Sequence, residues 1–193
     1  VTTSHYLQAK QWLDKLASEA QFFRKHQKPN TKIVHAILDH LDRPDKDFEY
    51  RVIVGGTAGK GTVCRLCEDV LLRQGRSVCT ILSPHVQAVT ERIRINGRLV
   101  DLEFFGKQIL KVQKISSKLQ CLPTYYESIV LAAILAAQES GCQILIGEIG
   151  LGGTHDAINT VKGPRIAALT FIGDDHREIL GPTLKDIARE KAG

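Results

Sequence analysis

Residues 54–62, Val-Gly-Gly-Thr-Ala-Gly-Lys-Gly-Thr, are the part of this 193-residue chain best suited to grip a charged ligand. A β-branched run, Val52-Ile53-Val54, leads into four glycines within residues 55–61, then a helix-compatible segment from Thr62. Glycines let backbone N–H groups converge on an anion, and the start of a helix adds partial positive charge. Lys60 supplies a mobile ammonium for the outer phosphates of a nucleotide. The common phosphate-loop spacing, Gly, four residues, then Gly-Lys-Ser/Thr, is not kept. Gly61 separates Lys60 from Thr62, and Val54 stands where the first glycine belongs.

Further polar groups fall where apolar strands end, and open parallel sheets bind ligands at the carboxyl ends of their strands. Glu148 stands inside the apolar run 143–149. A carboxylate there costs several kcal/mol of desolvation unless it is paired. A magnesium ion beside a nucleotide would offset that cost, as would a salt bridge to Arg or Lys. Ser83-Pro84-His85 follows the run 77–82, where Ser83 by itself reads as a turn residue. Gly173-Asp174-Asp175-His176 follows the run 165–172, and His176 reads as a metal ligand or a surface residue.

The elements that must carry these groups follow from periodicity. Residues 5–19 predict an amphipathic helix with Tyr6, Leu7, Trp12, Leu13 and Leu16 on one side, then a polar stretch from Arg24 to Asn30. A second helix is expected over 32–41 and a charged connector over 43–49. A helix over 62–74 ends at Gly75. Asn96-Gly97 within the alternating segment 91–100 predicts a hairpin. Asp101 can cap a helix to about Leu119. Thr124 with Glu127 forms a capping box for a helix to Ser140, and Thr183 with Asp186 opens the last helix. Strands alternating with helices imply an α/β fold, a doubly wound and mainly parallel sheet with N-terminal helices and one hairpin insertion.

Apolar residues make up 43% of the chain and charged residues 24%, which suits a globular protein. The net charge of +5 suits anionic ligands, but no dense Lys/Arg block interleaved with aromatics points to nucleic acid. Five cysteines, an odd number, fit reduced thiols in a cytoplasmic protein. Cys64 and Cys67 form a C-x-x-C with no second pair at zinc-ligand spacing. No membrane-spanning run is visible. The chain contains no methionine and stops at Gly193 while a helical pattern is under way, so a fragment is expected.

Taken together, the segments resemble the folylpolyglutamate synthase/dihydrofolate synthase family of the Mur ligase superfamily, over nearly the whole chain. Gly56-Thr57-Ala58-Gly59-Lys60-Gly61-Thr62 fits the family loop Gly-Thr-x-Gly-Lys-Gly-Ser/Thr. Ser83-Pro84-His85, the hairpin Glu91-Arg92-Ile93-Arg94-Ile95-Asn96-Gly97 and Thr124-Tyr125-Tyr126-Glu127 are similar to family segments in the same order. So are Glu148-Ile149-Gly150-Leu151-Gly152-Gly153, Asp175-His176, Leu180-Gly181-Pro182-Thr183 and Ile187-Ala188-Arg189-Glu190-Lys191-Ala192-Gly193.

The resemblance implies a truncated Mur ligase-type ATPase domain spanning 1–193, without the C-terminal glutamate-binding domain. It implies ATP on residues 56–62 and Mg²⁺ on Ser83, Glu148 and His176. Catalytic roles would fall to Lys60, His176 and a carbamylated Lys191. Thr124, Tyr125, Tyr126 and Glu127, with Thr154, His155 and Asp156, would face the pteroate. The implied activity is ligation of L-glutamate to a folate or dihydropteroate carboxylate, by a monomer without nucleic-acid or membrane partners. The chain departs from the family pattern at Ala58, Thr154, His155 and Ile158, where Asn, Arg, an apolar or aromatic residue, and Thr are usual. The competing readings are another phosphate-loop NTPase, such as a small-molecule kinase, and an inactive nucleotide-binding paralogue.

Overall fold

The computed structural model describes residues 4–23 and 31–193, so the polar stretch 24–30 lies outside the described residues. Helix α1 (Ser4–Phe23) opens the chain and α2 (Lys32–His40) follows. The buried stripe of α1 runs through Ala9, Leu13 and Leu16, with Leu7 turned outward. Strand β1 (Tyr50–Gly55) runs into the glycine loop and α3 (Lys60–Arg73). That helix starts at Lys60, two residues before the position expected, so the lysine belongs to its first turn. Then come β2 (Val78–Ile81), the hairpin β3 (Ile93–Ile95) and β4 (Arg98–Leu99), helices α4 (Leu102–Lys118) and α5 (Tyr125–Glu139), β5 (Ile144–Glu148), β6 (Arg165–Leu169), and helices α6 (Arg177–Leu180) and α7 (Leu184–Ala192).

The strands form one sheet in the order β4-β3-β2-β5-β1-β6. β2, β5, β1 and β6 are parallel, and the hairpin extends the sheet antiparallel beyond β2. Alternation along each strand feeds two apolar layers. Val52, Val54, Val78, Ile144 and Ile146 face α3 and its buried Cys64. Ile53, Cys79, Ile81 and Leu145 face the opposite layer, where α1, α2, α4 and α5 pack. Helix α5 is buried from Ser128 to Ala137, so it forms the centre of that layer. Its capping box is formed as expected: Glu127 N–H donates to Thr124 Oγ1 at 3.2 Å, and Thr124 N–H donates to Glu127 Oε2 at 2.6 Å. Thr183 and Asp186 cap α7 in the same way.

The charged connector 43–49 is partly buried: Pro44–Asp47 is a 3₁₀ turn and both Arg43 and Asp45 are buried. Asp45 Oδ2 accepts from Arg43 Nη2 at 2.6 Å and from the Lys162 N–H at 2.7 Å, and these bonds offset the desolvation. Strand β6 pairs with β1 and packs Ala168 against the α3 layer, and within residues 1–193 it is the last strand of the sheet, with Ile166 and Leu169 exposed. Among the described residues no helix is long and apolar enough to cross a membrane.

Candidate functional site

Register brings the key groups together. In the parallel pair β1/β5, Val54 lies beside Glu148, so the glycine loop and the carboxylate leave the sheet at the same rim. The loop backbone is shaped by a close approach. Gly56 has φ +132°, and a Cβ there would lie 1.9 Å from Thr170 Oγ1. The segment after β6 clamps it: the Thr57 N–H donates to Phe171 O at 2.7 Å, and the Gly173 N–H donates to Thr57 Oγ1 at 3.0 Å. The hydroxyl of Thr57 is therefore engaged within the protein.

Across the loop, Lys60 Nζ lies 3.9 Å from Glu148 Oε1 and donates to Thr57 O at 3.4 Å. Glu148 is 5% exposed, and the Ser83 N–H donates to its Oε2 at 2.9 Å. Burial raises the Glu148 carboxyl above its ordinary range, opposed by the Ser83 N–H and the Lys60 and Arg92 charges. Gly61 leaves room here, since a Cβ would meet Glu148 Oε2 at 3.4 Å. The result is a cleft of about 640 Å³ lined by Thr57, Gly59, Lys60, Gly61, Thr62, Arg65, Leu82, Ser83, Pro84 and Glu148. A cation, a row of N–H groups at a helix start and a buried carboxylate on one wall can hold a polyphosphate with its metal.

Comparison with models of known families gives no match. The chain is 39% identical over 144 residues to a dihydrofolate synthase/folylpolyglutamate synthase of Haemophilus influenzae, covering 75% of this chain and 32% of that protein. Among solved structures, Escherichia coli FolC in complex with DHPP and ADP has a TM-score of 0.85 at 30% identity, covering 96% of this chain and 43% of that one. A bifunctional folylpolyglutamate synthase/dihydrofolate synthase with Mn, AMPPNP and L-glutamate bound has a TM-score of 0.79 at 32% identity, covering 92% and 43%. The chain belongs to the folylpolyglutamate synthase/dihydrofolate synthase family. The chain spans about a third of the length of the curated Haemophilus influenzae relative it matches.

The residues that the family pattern marks for metal fall into two groups. Ser83 and Glu148 share the cleft. His176 is half-exposed with φ +53°, beside Asp175 Oδ2 at 3.6 Å and Glu178 Oε1 at 3.7 Å, and does not line that cleft. Among the described residues no three His, Cys, Asp or Glu side chains converge tightly enough to hold a metal by themselves. A metal at Glu148 would thus complete its shell with phosphate oxygens and water, a pattern that suits Mg²⁺.

Lys191 is 7% exposed, and its ammonium donates to Gly56 O at 3.1 Å, tying α7 to the glycine loop. Burial, with the nearby Lys60 charge, lowers its pKa and favours the neutral amine. Tyr126 donates its hydroxyl to Glu148 O at 2.6 Å, and Arg92 lies over the Tyr125 ring at 5.4 Å from its centre. Asp156 is buried and accepts from the Gly150, Leu151 and Ile158 N–H groups, yet burial pushes its carboxyl up to about 6. Thr154 and His155 are exposed, and the Thr154 N–H donates to Glu190 O at 3.2 Å. Arg65, Glu68 and Arg92 emerge only from the structure. The sequence signal for Arg65 was its place four residues after Gly61, one helical turn along the loop helix.

Proposed function

We propose that this chain is the ATP-binding part of a ligase that joins L-glutamate to the carboxylate of a folate or dihydropteroate. The observation that carries the reading is the 3.9 Å approach of Lys60 to the buried Glu148 at the rim of the glycine-loop cleft. ATP would lie with its phosphates over residues 56–62, as an adenine nucleotide is bound in both solved relatives. Glu148 and Ser83 would hold Mg²⁺ with phosphate oxygens and water, and His176, which the family pattern also marks for metal, would have to reach it from outside the cleft.

An amide cannot form directly from a carboxylate because oxide is a poor leaving group. The acceptor carboxylate attacks the γ-phosphorus, the bond to the β–γ bridging oxygen breaks, and ADP leaves. The glutamate amine then attacks the acyl phosphate carbon and inorganic phosphate departs. Lys60 and the loop N–H groups hold the charge spread over the transferred phosphoryl. Mg²⁺, when bound, adds Lewis-acid neutralisation of the phosphate oxygens. Glu148, kept in place by the Ser83 N–H, orients that phosphate end of the cleft. Lys191, whose pKa burial lowers, would take up carbon dioxide through its neutral amine, release a proton and become the carbamate anion that the family resemblance implies. Thr124 to Glu127 and Thr154 to Asp156 would form the pteroate side.

The glutamate site is expected outside residues 1–193, in a further domain, so this piece alone should not ligate. The working protein would be a cytoplasmic monomer acting on small molecules, without nucleic acid or membrane. The test, on the full-length protein, is phosphate release and glutamylated product with dihydropteroate, with tetrahydrofolate and with neither. Release that depends on one acceptor supports the ligase. Release indifferent to both points to another NTPase, and no turnover points to a non-catalytic nucleotide binder.

A further inference from the structure

Gly61, Arg65 and Glu68 stand four and three residues apart, so they follow one face of α3. The first abuts Glu148, and the second lines the same cleft as Ser83, Pro84 and Glu148. Arg65 Nη1 donates to Glu68 Oε2 at 2.5 Å. Glu68 is 1% exposed and also accepts from Arg94 Nε at 3.2 Å on each oxygen. Arg94 sits in β3, so the hairpin anchors a buried carboxylate that in turn fixes an arginine on the cleft wall.

Arg65 itself is not consumed by this network. Its side chain is 46% exposed, and Nε and Nη2 make no hydrogen bond among the described residues. A structural ion pair on a surface needs no such backing from a second, part-buried guanidinium. A guanidinium with one edge anchored and the other free is instead preorganised to take a planar pair of ligand oxygens.

We propose that Arg65 binds an oxyanion of the ligand in the cleft, either the terminal phosphate of the nucleotide or the acceptor carboxylate, and that Glu68 and Arg94 are its positioning residues. This rests on the reading of the cleft as a nucleotide site. It differs from the Lys60 contact in chemistry: Lys60 is a point charge at the loop, whereas Arg65 offers a planar pair of donors further along the cleft wall.

The experiment is calorimetric binding of MgATP, MgADP and acceptor to the wild-type protein and to Arg65→Ala, Arg65→Lys and Glu68→Gln, with circular dichroism for the fold. Loss of one charged bidentate contact is worth roughly tenfold or more in affinity. Arg65→Ala is expected to weaken MgATP by that factor while sparing MgADP, if the phosphate is the partner. If the carboxylate is the partner, acceptor binding weakens instead. Either outcome supports the proposal, and Arg65→Lys should recover part of the loss while keeping the fold. Glu68→Gln should reduce the same affinity in the wild-type background and add nothing in the Arg65→Ala background, which a purely structural role would not produce. Wild-type binding with all Arg65 variants unaffected overturns the proposal alone. A wild-type protein that binds neither nucleotide overturns the nucleotide reading and the proposal with it.

Discussion

Lys191 donates to the carbonyl oxygen of Gly56 at 3.1 Å, so the last helix and the phosphate-binding loop share one hydrogen bond across 135 positions. The amine is buried, carries no carboxylate partner in that contact, and has its pKa lowered by burial and by Lys60. These conditions favour the neutral nucleophile that carbon dioxide needs. Incubation with ¹³C-bicarbonate is expected to give a carbamate carbonyl resonance that is lost in Lys191→Met. A resonance of equal intensity in the variant would remove the role assigned to this lysine.

The two glycines of the loop should fail in different ways. Gly56→Ala must adopt a positive φ and drive its Cβ into Thr170, so it should lower stability by about 1–3 kcal/mol or more. Gly61→Ala meets only the Glu148 carboxylate, at ordinary contact distance, so its melting temperature should stay near wild type while nucleotide affinity falls. Thermal unfolding beside nucleotide titration separates the two. Equal loss of stability in both would contradict this division.

Much of this architecture is legible in the residues, and the remainder is not, for a physical reason. The β-branched run Val52–Val54 and the glycines after it announce β1 and the loop, because φ > 0 and close approach leave few other residue types. Thr124 with Glu127 and Asn96-Gly97 announce a helix start and a hairpin, since both are local hydrogen-bonding patterns. The pairings Asp45–Lys162, Glu68–Arg94 and Lys191–Gly56 are set by strand order and helix packing, which no local window encodes. Glu148 is intermediate: its isolation among apolar neighbours marks it in the sequence, but only the β1/β5 register shows Lys60 beside it.

Asp156 gives a pH signature. Its carboxyl titrates near 6 in the fold against 3.8 in the reference state. Between those values the folded protein binds more protons than the unfolded chain, so stability falls as pH rises from about 4 to about 6, by roughly 3 kcal/mol in total. Urea midpoints across that range should show the decline, and Asp156→Asn should flatten it. A slope unchanged by the substitution would assign the effect to other groups.

Tyr126 fixes the far end of β5 by donating to the Glu148 carbonyl. Tyr126→Phe keeps the ring and removes one hydrogen bond, so a loss of about 1 kcal/mol is expected in equilibrium unfolding. A loss near zero would mean that solvent replaces the hydroxyl.

The most direct test is MgATP affinity, measured by calorimetry with and without Mg²⁺, in wild type, Lys60→Ala and Glu148→Gln. The expected result is binding by wild type that weakens at least tenfold in Lys60→Ala, together with a Mg²⁺ enhancement that disappears in Glu148→Gln. Wild-type affinity in both variants, or binding indifferent to Mg²⁺ in all three, would contradict a metal-nucleotide site built on Lys60 and Glu148.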